Sequence, residues 1–63
     1  MENKTIGKYE ITIIKGGDDE NPIFDVTCPL FQTTLTVTAE EMINEDQLLA
    51  HEEFEKTLPA KID

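Results

Sequence analysis

His51 and Glu55 stand four residues apart, the spacing at which one helix face brings an imidazole and a carboxylate together, and such a pair can hold a metal. Two ligands without a third make a weak site, and an exposed histidine beside carboxylates is the simpler reading. Asp18-Asp19-Glu20-Asn21 offers oxygen ligands for calcium. It lacks the spacing and the closing bidentate glutamate of a calcium loop, so it reads as a turn. Cys28 has no histidine near it in sequence and precedes Pro29 at a strand end, which suits a small buried hydrophobe better than a nucleophile. With one His, one Cys and neither Ser nor Arg in the chain, acyl or phosphoryl transfer lacks both an activated nucleophile and a cationic stabiliser. These residues describe a non-enzyme and call for no metal or cofactor.

Carboxylate is what the chain holds in excess: 14 Asp and Glu against 5 Lys, a formal net charge of −9 on 63 residues. Glu40, Glu41, Glu45, Asp46, Glu52, Glu53 and Glu55 crowd one helical region. On a continuous helix, Glu41, Glu45 and Glu52 stand at i, i+4 and i+11, and Asp46 and Glu53 at i and i+7, giving two neighbouring acidic rows. Residues four apart are separated by about 6 Å along a helix axis, a spacing on the scale of successive phosphates, whose rise is about 3.4 Å per nucleotide. The expected partner-binding residues are therefore Glu41, Glu45, Asp46, Glu52, Glu53 and Glu55. The competing reading is a solvated face that keeps a small domain soluble. Against it, like charges at i, i+4 destabilise a helix by a few tenths of a kcal/mol each, and only Lys56 is present to offset them.

The elements that must carry these groups follow from periodicity. Lys8 to Lys15 alternates, with Tyr9, Ile11 and Ile13 inward and Glu10 and Thr12 outward, as a half-buried strand does. Gly16 to Pro22 breaks it in a turn or short loop. A second strand runs from Ile23 to Cys28, with Phe24 and Val26 inward and Asp25 and Thr27 outward, and Pro29 closes it. Cys28-Pro29-Leu30-Phe31 has proline at the second position of a type I turn. A third strand spans Gln32 to Thr38, where Leu35 and Val37 alternate with Thr34, Thr36 and Thr38. Thr38-Ala39-Glu40-Glu41 reads as a capping box that opens a helix. Its inward arc would hold Met42, Ile43, Leu49, Ala50, Phe54 and Leu58, with Leu48 outside it. Asn44-Glu45-Asp46-Gln47 reads as a second helix start. One helix from Thr38 to Leu58 is therefore expected, with a kink at Asn44, or two pieces joined there, as the alternative.

The expected fold is α+β: a three-stranded antiparallel meander followed by a C-terminal helix packed on one face, β-β-β-α. Residues 1–63 are expected to form a single small acidic domain with 1–6 and 60–63 frayed. A chain of this size buries only about 60% of its unfolded surface. Its lone cysteine excludes an internal disulfide, so packing, self-association or a partner must supply the rest. The N-terminus lacks a basic region followed by an apolar core, and no apolar run reaches membrane-spanning length. A cytoplasmic protein that contacts neither membrane nor nucleic acid is expected. The charge favours a basic partner. The first functional expectation is thus an inhibitor of a basic nucleic-acid-handling protein that mimics nucleic-acid charge. Phage and mobile-element anti-defence proteins, anti-CRISPR inhibitors among them, are analogous in charge, though no sequence motif is shared. The second is an adaptor or assembly module docking through its sheet edge or the Thr-rich face formed by Glu10, Thr12, Thr27, Thr34 and Thr36. The third is a homodimer.

Overall fold

A computed structural model describes residues 1–59 and places a strand where the residue pattern carries no apolar alternation. Glu2–Ile6 (β1) pairs antiparallel with Tyr9–Gly17 (β2), from Ile6 opposite Tyr9 to Glu2 opposite Ile13. Among the described residues the sheet therefore has four strands in the order β1-β2-β3-β4, not three, and residues 2–6, expected to fray, form its edge strand. Burial does not hold β1 in place, since of its residues only Ile6 is even half-buried. The two-residue turn Gly7-Lys8 holds it, with Gly7 at φ 58, the first-position glycine that tight hairpin turns use. Residues 60–63, also expected to fray, lie outside the described residues.

β2 and Pro22–Thr27 (β3) pair as the alternation predicts, with Ile13 opposite Val26. Their connection is closed by reciprocal backbone bonds between Asp18 and Asn21 at 3.1 and 3.2 Å. Gly17 at φ 74 is required there, because a Cβ on it would overlap the Asn21 carbonyl oxygen. The turn at Cys28–Phe31 forms as expected, the Phe31 N–H donating to the Cys28 carbonyl at 2.9 Å. The last strand is shorter than its β-branched run suggests. β4 covers only Leu35–Val37 and pairs with Phe24 to Val26, because the backbone N–H groups of Gln32 and Thr33 are committed elsewhere (below). Thr34 accordingly precedes the strand.

The capping box at Thr38 is not made. Glu40–Met42 is a single 3-10 turn preceded by Ala39, with no side-chain cap. The helix begins instead at Asn44, whose extended backbone (φ −139, ψ 171) interrupts any continuous helix. Asn44 Oδ1 accepts from the Gln47 N–H at 3.0 Å, and its Nδ2 donates to the Glu41 carbonyl at 2.9 Å. The helix α1 then covers Glu45–Glu55. It ends three residues before Leu58 in tightening i→i+3 bonds at Thr57 and Leu58.

This restart changes the phase of the helix. Leu48, expected outside, is fully buried, whereas Leu49 and Phe54, expected inside, are 47% and 54% exposed, and Ala50 is exposed as well. The inward residues are Leu48, His51, Glu52 and Glu55, an i, i+3, i+4, i+7 set with one apolar member. Met42 and Ile43 still pack inward, ahead of the break. The core comprises Tyr9, Ile11, Ile13, Phe24, Val26, Cys28, Val37, Ile43 and Leu48, so Cys28 is the small buried hydrophobe expected of it. The opposite sheet face carries Glu10, Thr12, Thr27 and Thr36, together with Asn3, Thr5, Ile14, Ile23 and Asp25. Across it Thr12 donates to Asn3 Oδ1 at 3.0 Å and Thr36 to Asp25 Oδ1 at 2.9 Å. Among the described residues no helix is long and apolar enough to cross a membrane.

Candidate functional site

The six carboxylates expected to form one binding surface are divided by the fold into three kinds. Glu55, in the last turn of α1, is buried, at 6% exposure. Both of its oxygens accept from the Gln32 N–H at 2.9 Å, and Oε2 also accepts from the Thr33 N–H and the Thr33 hydroxyl, each at 2.7 Å. Burial by itself would push its pKa up. The Gln32 and Thr33 donors, with His51 beside them, outweigh that and hold it below the ordinary carboxylate value. Glu55 thus fastens the loop after the Cys28 turn to the end of the helix, and this is why β4 starts late.

His51, one turn earlier, is not the exposed histidine expected. Its side chain is 9% exposed, with Nε2 3.3 Å from Glu55 Oε2 and 3.1 Å from Thr33 Oγ1. The Thr33 hydroxyl has one proton and gives it to Glu55, so Nε2–H is the donor toward Thr33. The imidazole packs edge-on against Phe31 at 4.7 Å, and Phe54 lies 6.0 Å from it on centroids. Among the described residues no group of three or more His, Cys, Asp or Glu is placed to hold a metal.

Glu52 faces the sheet, accepting from the Tyr9 hydroxyl at 2.7 Å and meeting Lys8 Nζ at 3.1 Å. The Tyr9 bond, then Lys8, lower its pKa. The converse effect falls on Tyr9: burial, then the bond to the Glu52 carboxylate, push its phenol from 10.0 up to about 12. The folded-state value lies above the unfolded one. The stability this contributes is therefore complete below pH 10.0 and is lost as pH rises toward about 12. Tyr9 is the only tyrosine in the chain, so phenolate absorbance reads it alone. We expect a titration midpoint well above 10 in the native protein and a lower one in Glu52→Gln. An unshifted midpoint would mean that the Tyr9–Glu52 bond does not form in solution.

The remaining acidic residues look outward. Glu53 pairs with Lys56 at 3.0 Å, both side chains being more than half exposed, a contact of the kind that contributes little. Glu41, Glu45 and Asp46 make no side-chain hydrogen bond or ion pair with any described residue. Glu41 sits on the 3-10 turn rather than on α1, so the row of Glu41, Glu45 and Glu52 does not exist. On α1 itself Glu45, Leu49, Glu53 and Asp46 fall within an arc of about 100°. Glu45 and Asp46 occupy the first turn, where negative charge complements the helix dipole. The Glu45 carboxylate lies over Gly7, where a Cβ would strike it. What the fold leaves unengaged is Glu41 on the 3-10 turn and Glu45 and Asp46 in the first turn of α1, with Glu53 half-neutralised and Glu52 and Glu55 withdrawn into structural roles. Only the inward i, i+3, i+4, i+7 spacing of Leu48, His51, Glu52 and Glu55 in the sequence could have marked that withdrawal. Compared with known protein families, curated proteins and solved structures, the chain matches none of them.

Proposed function

We propose that this chain is an acidic, non-catalytic binding protein that inhibits a basic nucleic-acid-handling protein by standing in for nucleic-acid charge. The observation that carries the reading is the set Glu41, Glu45 and Asp46. These exposed carboxylates are engaged by no described residue; Glu45 and Asp46 open the Asn44-capped α1, and Glu41 lies on the preceding 3-10 turn, its carbonyl accepting from Asn44 Nδ2. The charge is also unevenly spread. Residues 1–17 hold Glu2 and Glu10 against Lys4, Lys8 and Lys15, a net of +1, so residues 18–63 carry −10 of the chain's net −9. A basic groove that neutralises phosphates would meet a concentrated negative field there.

The test is affinity capture from nuclease-treated lysate with washes at low and high salt, run on wild type and on Glu45→Lys/Asp46→Lys. Expected is a basic nucleic-acid-binding protein that is lost at high salt and lost again in the double reversal. Circular dichroism and a Glu45→Gln/Asp46→Asn variant guard against a merely weakened helix start. Capture that ignores both salt and the reversal would overturn the proposal.

A second reading, an adaptor docking through the outer sheet face, is favoured by Ile14 and Ile23, which are 48% and 41% exposed among the threonines. It predicts a salt-resistant partner that is lost on Ile14→Arg.

A further inference from the structure

Of the two edges of the sheet, β4 offers three residues and β1 five. Ile6 and Tyr9 close a two-residue turn, so they form a hydrogen-bonded pair, and the pattern alternates from there. Lys4 and Glu2 share bonds with β2. The N–H and C=O groups of Asn3 and Thr5 point away from it, and no described residue pairs with them. An open edge of this kind is a template for another strand. Its own charges decide which strand. Glu2 and Lys4 lie on the core-facing side of the sheet, where a charged residue rejects an apolar strand. A second copy of this chain supplies the opposite charge at each position.

We propose that β1 pairs with β1 of a second copy, antiparallel about a two-fold axis through Asn3, to form a symmetric dimer with a continuous eight-stranded sheet. In this register the two Asn3 residues exchange both backbone bonds. Each Glu2 faces the Lys4 of its partner at a non-hydrogen-bonded position, where side chains come closest. A two-fold axis through Lys4 instead would set Lys4 against Lys4, so the charges select the register. The interface is isologous and closes on itself. Net charge does not oppose it strongly: residues 1–17 carry only +1 in a chain of −9, so the two hairpins meet away from the acidic remainder of each copy.

Sedimentation of the full chain over a range of concentrations tests this. Expected is a concentration-dependent dimer in wild type, with Glu2→Lys and Lys4→Glu each weakening self-association about tenfold or more, since each turns two attractive cross-strand pairs into repulsive ones. The double variant Glu2→Lys/Lys4→Glu should restore the dimer, because the opposed pairs reappear with exchanged signs. Asn3→Pro should abolish the dimer while leaving the ladder to β2, from which the Asn3 N–H points away. A protein that remains monomeric throughout, or a double variant that associates no better than the single ones, overturns the proposal.

Discussion

Leu48→Ala should unfold much of the protein at ambient temperature, while Leu49→Ala should leave its melting temperature almost unchanged. Leu48 is fully buried beside Tyr9 and Ile11 in one core cluster, and truncating such a leucine removes about 2–5 kcal/mol. Small domains hold roughly 0.05–0.15 kcal/mol per residue, so that loss is comparable to everything a chain of this length has. Leu49 is 47% exposed, and surface changes of this sort stay within about 0.5 kcal/mol. Thermal unfolding of the two variants separates the observed helix phase from the one that apolar periodicity implies, in which Leu49 faces the core and Leu48 does not. Equal effects, or the reverse order, would refute the observed phase.

The second large effect belongs to Glu55. Replacement by alanine strands the N–H groups of Gln32 and Thr33 and leaves His51 with one oxygen partner fewer, at a site 6% exposed. A loss in melting temperature on the order of 10 °C or more is expected for a domain this small. Glu55→Gln should do little better, because its amide nitrogen would point a donor at donors. Glu53→Gln, two residues away on the exposed side, should be nearly silent. The pH dependence carries the same signature. Glu55 and Glu52 both have folded-state values below their ordinary 4.5. The stability they contribute is therefore fully present above that pH and is lost as pH falls through the depressed values. Acid unfolding monitored by circular dichroism should be steep in that range for wild type and shallower for Glu55→Gln. Identical acid profiles would remove Glu55 from its role as a loop clamp.

Both effects trace to the inward side of α1, which was the least legible part of the chain. Apolar periodicity alone puts Leu49, Ala50 and Phe54 inside and leaves Glu52 and Glu55 as surface charge. The real inner stripe has correct helical spacing but is mostly polar, and polar residues register as inward only when their partners are known. Those partners are remote: Tyr9 is 43 residues from Glu52, and Thr33 is 22 from Glu55. The candidate site shrank for the same reason, from six carboxylates to Glu41, Glu45 and Asp46 with Glu53 beside them. Strand β1 is illegible in the sequence for a different reason. Glu-Asn-Lys-Thr has no buried face to produce alternation, and the signal present was the Gly7-Lys8 turn behind it.

By itself the sequence determined what depends on near neighbours. The alternation in β2 and β3 fixed which of their side chains enter the core, Pro29 fixed the turn that ends β3, and Asn44 supplied a helix cap by bonding a backbone group three residues on. It also determined the net charge of −9. Tertiary structure alone decided the phase of α1, the recruitment of residues 2–6 into the sheet, and which carboxylates remain outside. Residues 2–6 join by backbone pairing with β2 across the Gly7-Lys8 turn, whereas the phase of α1 and the choice of outward carboxylates share one physical reason. A buried carboxylate is tolerable only where several donors converge on it, and that convergence is assembled by chain segments that meet only once the fold has formed.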